Sequence, residues 1–287
     1  DSRNNSVLFA QITADVFSAN GTIVHLFDTL HPTPALSFAV RTLGCKGGIV
    51  ITASHNPKEY NGYKAYGPDG GQFTAPDDAL IMDEVAKIKN IDEVNFKRVA
   101  ENIHLIDEKL DALYLDSITQ LSLNKDAIRR QKDLKIVYSP IHGTGITLVP
   151  QALKQFGFED VILVEEQTQP DGNFPTVVYP NPEEKDALAL ALKKAQAIDA
   201  DLVMATDPDA DRVGIAIKNN EGKFILLDGN QTASLLTHYL LSAWEQNGKF
   251  TGKEYIVKTI VTTHLIEELA TAHKVACYNI LTGFKFI

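Results

Sequence analysis

The chain reads as an α/β protein built of consecutive domains, with mixed, largely parallel sheets flanked by helices. Three observations predict this. Short runs of β-branched and apolar residues alternate with amphipathic helical stretches along the whole length. The runs at 48–53 and 202–206 read as buried strands, each ending in a polar loop. The runs at 213–217 and 224–227 flank Asn219-Asn220-Glu221-Gly222, a hairpin signal that makes the sheet mixed.

Taken in order, helical spacing of apolar residues over 7–18 is followed by a β-rich run at 23–27. The pair recurs as a helix over 33–43 and a strand at 48–53. Beyond the glycine-rich turn Gly67-Pro68-Asp69-Gly70-Gly71, the chain is charged and weakly periodic near 90–102, then helical over 109–122. A second such stretch, 124–133, precedes a fresh strand at 135–138 and marks the first domain boundary. A glycine-bearing turn and a helix then lead to a strand at 161–164. A helix over 183–197 leads to the strand at 202–206 and the hairpin. A softer boundary at Asp228-Gly229-Asn230 precedes a helix over 232–244, a strand at 255–259, a helix over 265–273 and a strand at 275–279. The expected units are 1–132, 133–228 and 229–287, without short repeats or low-complexity tracts.

Composition narrows the class. The 287 residues suit two or three domains, and 44% hydrophobic with 22% charged residues excludes wholesale disorder. A net charge of −10 argues against general nucleic-acid binding, because phosphates repel a net anion. No apolar run approaches a membrane span, and no basic start followed by an apolar stretch suggests a signal peptide. Cys45 and Cys277 lie far apart and read as buried thiols in a reducing compartment, so a cytoplasmic location is expected. The chain starts at Asp1 without Met and stops at Ile287 in an apolar segment, so both ends read as cuts inside structure.

The sharpest motif is Asp207-Pro208-Asp209-Ala210-Asp211-Arg212, leaving the C-terminal end of the strand at 202–206, where ligand crevices form in α/β sheets. Carboxylates at alternate positions can converge, and a divalent cation relieves their repulsion; oxygen ligands select magnesium, manganese or calcium. A calcium EF-hand loop fails, since Arg212 stands where that loop needs Gly and Lys218 where it needs Glu. The competing reading is a solvated acidic turn; the buried strand before the loop and the arginine after it favour the metal.

A second constellation, Thr52-Ala53-Ser54-His55-Asn56-Pro57 followed by Tyr60-Asn61-Gly62-Tyr63-Lys64, offers a hydroxyl, an imidazole and an ammonium. A hydroxyl is a poor nucleophile without a base or a metal, and His55 and Lys64 could supply proton transfer and charge. It is not a hydrolase nucleophile elbow, which needs G-x-S-x-G: Ala53 and His55 flank Ser54, and Thr52 and Asn56 stand where the glycines would belong. On spacing alone, a polar turn with a satisfied histidine reads equally well. Gly143-Thr144-Gly145 imitates a dinucleotide fingerprint, but Leu148 replaces the third glycine, and a turn packed close to neighbouring backbone is the better reading.

The serine and aspartate loops closely resemble the two signature loops of the α-D-phosphohexomutases. Asp1–Ser6, Ser139–Gly145, Asp171-Gly172-Asn173-Phe174-Pro175, Pro180-Asn181-Pro182-Glu183 and Thr282-Gly283-Phe284-Lys285 resemble further segments of that family, in the same order. The resemblance implies a phosphohexomutase that interconverts hexose 1-phosphate and hexose 6-phosphate through a phosphoserine and a hexose 1,6-bisphosphate intermediate. By position, Ser54 would carry the phosphoryl group, with His55 and Lys64 candidates for proton transfer. Asp207, Asp209 and Asp211 would bind Mg2+, with a phospho-Ser54 oxygen as a further ligand. Arg212 and Lys285 would contact the sugar phosphate, and Arg3 would be structural.

Thr282-Gly283-Phe284-Lys285 resembles the glucose- or pentose-directed branch more than the mannose-directed one, so glucose is the expected substrate. Phosphomannomutase, phosphopentomutase and phosphoglucosamine mutase remain alternatives within the family, although Thr52 differs from the serine usual in the last. A non-catalytic sugar-phosphate binder is the alternative outside it. The family has four domains. The resemblance implies that this chain lacks the start of the first, the later part of the third and all of the fourth, and that alone it turns over little or no substrate.

Overall fold

Helix α1 (Ser6–Ala19) opens the fold, followed by β1 (Val24–Phe27), α2 (Thr33–Thr42), β2 (Gly48–Ile51), β3 (Tyr63–Tyr66), α3 (Asp77–Lys87), β4 (Ile103–Ile106), α4 (Glu108–Thr119) and α5 (Lys125–Arg130). This is a computed structural model, and it describes residues 1–286. Strand β1 pairs in parallel with β4, and β2 pairs antiparallel with β3. The second pairing sets Lys64 opposite Val50, so the chain leaves β2 into the serine loop and returns alongside it carrying Lys64. Ala39, Ile106 and Leu110 form a small core between α2, β4 and α4.

The middle of the chain builds β5 (Ile136–Ser139), α6 (Gly145–Phe156), β6 (Val161–Leu163), α7 (Ala189–Ala197), β7 (Leu202–Thr206), β8 (Val213–Lys218) and β9 (Phe224–Leu227). One sheet runs β6-β5-β7-β8-β9, with β6, β5 and β7 parallel and β8 and β9 antiparallel. The hairpin turn closes as its residues require: the Asn219 N–H donates to Lys223 O, and Gly222 takes a left-handed φ of 75°. Val137, Val203, Ala205 and Ala216 on the sheet pack with Ala191 and Ala195 on α7 as the main core, all fully buried. Helix α6 packs on α4 through Leu148 and Leu115, joined by Ala35 of α2, fastening this sheet to the elements before it.

Helix α8 (Gly229–Gln246), β10 (Tyr255–Thr259), α9 (Leu265–Ala272) and β11 (Ala276–Ile280) follow, with β10 and β11 parallel. Asp228 and Gln231 form a reciprocal capping box that starts α8 three residues earlier than its apolar periodicity does. Leu241, Ala270 and Val275 make the core here. None of the described helices is long and apolar enough to cross a membrane.

The architecture is the expected mixed α/β one, with local departures. The helix expected over 183–197 begins only at Ala189, because Asn181 holds the preceding residues in turns: its side chain accepts from the Glu183 N–H and its carbonyl from the Glu184 N–H. Elements β3, β4, α3 and α5 were not expected. Helix α3 buries none of its residues and α5 is six residues long, so neither leaves the apolar stripe that sequence reading depends on. Cys45 and Cys277 are free thiols, half-buried rather than buried.

Candidate active site

The C-terminal ends of neighbouring parallel strands β5 and β7 feed two loops into one crevice. The loop after β7 carries the three aspartates and turns sharply at Ala210, whose φ of 52° is left-handed. The loop after β5 supports it from beneath: the Thr144 N–H and hydroxyl both donate to Pro208 O, at 2.8 and 3.0 Å. A Cβ on Gly143 would sit 2.5 Å from Pro208 Cα, and one on Gly145 would run into the Tyr138 and Thr206 hydroxyls. These glycines therefore serve close packing under the aspartate loop, the reading that the incomplete dinucleotide pattern favoured.

Asp207 and Asp209 are fully buried, while Asp211 lies at the exposed edge. One carboxylate oxygen from each lies within 4.8 Å of the others. Burial, then the negative charges of Asp209 and Asp211, push the Asp207 carboxyl up to about 8. Burial and Asp209 also raise Asp211, with Lys64 and Arg212 opposing. Asp209 Oδ1 is buried with no hydrogen-bond partner among the described residues. Crowded carboxylates, an all-oxygen donor set and an orphaned buried oxygen together fit a hard divalent cation such as Mg2+.

The first part of the chain supplies the other wall. Ser54, with a left-handed φ of 53°, directs its Oγ to Asp207 Oδ2 at 2.9 Å, joining residues 153 apart in sequence. His55 Nδ1 lies 3.2 Å from the same hydroxyl. Burial, then the positive charge of Arg212, push the His55 imidazole down, so it is neutral near pH 7. Lys64 Nζ is 3.6 Å from Asp209 Oδ2. Arg212 is exposed, and its backbone N–H donates to Asp207 Oδ1 at 3.1 Å.

Ser54, His55, Lys64, the three aspartates and Arg212 are thus brought together. Lys285 is not joined to them: its ion pair is with Asp78 on α3, at 3.8 Å.

Of the groups that hold this arrangement, Arg3 is the one that the family resemblance marks as structural, while Thr33 and Thr52 carry no expected role. Arg3 is buried and donates to the carbonyls of Ser54, Asn56, Pro57 and Tyr60, so one guanidinium shapes the whole serine loop. Its guanidinium carbon lies 5.3 Å from the centre of the Phe174 ring. The Thr52 hydroxyl accepts the Ser54 N–H and lies 2.7 Å from Asp1 Oδ2 and 3.0 Å from Asp209 Oδ2. Thr33 contributes two further bonds to Asp209. Its place between Pro32 and Pro34 at an expected helix start was visible in the sequence; its reach across 176 residues was not.

Residues 1–92, 112–222 and 228–287 match the family models described as phosphoglucomutase/phosphomannomutase, alpha/beta/alpha domains I, II and III. The chain belongs to the phosphoglucomutase/phosphomannomutase family. Within it, the phosphoglucomutase of Staphylococcus haemolyticus is 37% identical over 291 residues, covering all of this chain and 52% of that protein. The chain spans about half the length of the curated relatives it matches. The crystal structure of a putative phosphomannomutase from Thermus thermophilus superposes with a TM-score of 0.78 at 25% identity, over 99% of this chain and 60% of that one. An Aspergillus fumigatus N-acetylphosphoglucosamine mutase, solved in complex with GlcNAc-6P and magnesium, shares the fold at a TM-score of 0.52 and 18% identity, over 99% and 67% of the two chains.

Proposed function

We propose that the complete protein is a phosphohexomutase acting on glucose phosphates, which interconverts the 1- and 6-phosphates through phospho-Ser54 and a hexose 1,6-bisphosphate. The observation that carries this reading is the 2.9 Å contact between Ser54 Oγ and Asp207 Oδ2, made inside a cluster of three carboxylates. The reading is supported by the phosphoglucomutases among the relatives and by the sugar phosphate and magnesium bound by the Aspergillus neighbour.

Asp207, Asp209 and Asp211 would hold Mg2+, which when bound supplies the positive charge that a phosphoryl group in transfer requires. The chain's own residues account for the rest. Arg3 fixes the loop so that Ser54 Oγ faces the acidic cluster. In the forward step the bond from Ser54 Oγ to phosphorus breaks and a bond to a sugar hydroxyl oxygen forms, while the hydroxyl proton passes to a base and Ser54 Oγ takes up a proton in its place. Neutral His55, or Lys64 once deprotonated, is the candidate acceptor. The serine then recovers the other phosphate from the bisphosphate, and the same groups return the proton. Arg212, exposed at the mouth, is the proposed sugar-phosphate contact, as is Lys285 once it leaves Asp78.

Intact-mass spectrometry of the complete protein tests the reading. One added phosphate on Ser54, discharged by glucose 1-phosphate or 6-phosphate, is the expected result. A protein that binds sugar phosphate but never carries phosphate on Ser54 is the non-catalytic alternative. A panel of glucose, mannose, glucosamine and ribose phosphates, scored by kcat/KM, then decides the sugar.

A further inference from the structure

We propose that Thr33 is a positioning residue of the cation site: it fixes the orientation of Asp209 and couples cation binding to the docking of α2. The inference rests on the reading of Asp207, Asp209 and Asp211 as cation ligands and adds a residue that the reading does not contain.

The first N–H groups of an α-helix have no acceptor within the helix. In Pro32-Thr33-Pro34-Ala35, the prolines have no N–H to offer, and the Ala35 N–H turns back to Pro32 O at 3.0 Å. The Thr33 N–H instead crosses to Asp209 O at 2.8 Å, and its hydroxyl donates to Asp209 Oδ2 at 3.1 Å. Both bonds from this buried threonine therefore end on one residue of the aspartate loop.

At Asp209 the two carboxylate oxygens become unequal. Oδ2 faces the Thr33 and Thr52 hydroxyls and the Lys64 ammonium. Oδ1 is buried and has no partner among the described residues. Rotating the carboxylate plane away from this orientation would break the bonds on the Oδ2 side, so the oxygen on the Oδ1 side stays the free acceptor. Thr52 has one proton for two carboxylates, Asp1 and Asp209, whereas Thr33 directs its proton to Asp209 alone. Groups that orient a metal ligand from behind change metal affinity by about 10–100-fold. Linkage makes the effect reciprocal: a cation that holds Asp209 also steadies the first turn of α2.

The test uses Mn2+ and the 287-residue chain, with free Mn2+ read by electron paramagnetic resonance. Thr33→Val keeps the backbone N–H and removes the hydroxyl; Thr33→Ser restores it. The expected result is a Kd for Mn2+ raised about 10-fold or more in Thr33→Val, with Thr33→Ser close to the unmodified chain. A threonine that served only stability would lower the melting temperature of the cation-free chain and leave the Kd unchanged, and that result overturns the proposal. Amide hydrogen exchange of Thr33, Ala35 and Leu36 in the unmodified chain gives a second measurement that needs no variant to fold. Exchange should slow on saturation with Mg2+, and equal exchange with and without the ion overturns the coupling. Absence of any Mn2+ binding by the unmodified chain would overturn the cation site itself, a failure distinct from that of Thr33.

Discussion

Ser54, the proposed phosphoryl carrier, is a small side chain on a loop rather than in the core. Its hydroxyl makes two contacts, to Asp207 and His55, and lies on a loop whose shape is set by Arg3. Ser54→Ala should abolish turnover of the complete protein while changing folding stability by no more than about 0.5 kcal/mol, measured by urea melts beside a coupled assay. Asp209→Asn should weaken Mg2+ binding and collapse the rate, since it removes charge from the buried centre of the cluster. Asp207 gives a pH signature. In the folded, cation-free chain it keeps its proton up to about 8, whereas an unfolded carboxyl loses it near ~3.9. Between those values the folded state holds the Asp207 proton and the unfolded state does not, so the Asp207 contribution to stability should fall as pH rises from about 4 to 8 and level off above, read as the difference between the unmodified chain and Asp207→Asn. Mg2+ binding near pH 7 should then release about one proton, read from calorimetry in buffers of different ionisation heat. A heat independent of buffer would contradict the raised Asp207.

At the scale of elements, the account predicts where rigidity is needed. Arg3→Met leaves four loop carbonyls without their donor, at about 1–3 kcal/mol for each that stays unsatisfied. It should lower the melting point and speed amide exchange across residues 54–60. Gly145→Ala should destabilise by about 1–3 kcal/mol or more, because its Cβ meets the Tyr138 and Thr206 hydroxyls. The elements that sequence patterning recovered are those whose burial is periodic. Strands β5 and β7 lie in the main core, and β9 and β10 begin and end at their expected residues. Those it missed draw their stability from partners distant in sequence or expose most of their surface. Strand β3 exists because Tyr63–Tyr66 lies against β2, and β4 because it finds β1 nearly eighty residues earlier. Neither pairing leaves a local signature in four residues.

For the whole molecule, the site is a product of assembly. Its proposed reactive members were legible because their chemistry is compact in sequence: Ser54-His55 in one loop and three alternating aspartates in another. Their supports were less so: the resemblance marks Arg3 only as structural, and Thr33 and Thr52 acquire roles only when distant segments meet. The chain spans about half of its curated relatives' length, so the 287 residues alone should show little mutase turnover while still binding a divalent cation. A coupled assay against the complete protein checks the first statement, and comparable rates would refute it. The central claim is that the serine and the aspartates serve one ion, and anomalous X-ray scattering from crystals grown with Mn2+ tests it most directly. The account predicts a single peak within ligand distance of Asp207, Asp209 and Asp211, with the Ser54 oxygen or its phosphate turned toward it. A peak elsewhere, or an ion on the aspartates with Ser54 facing away, would contradict it.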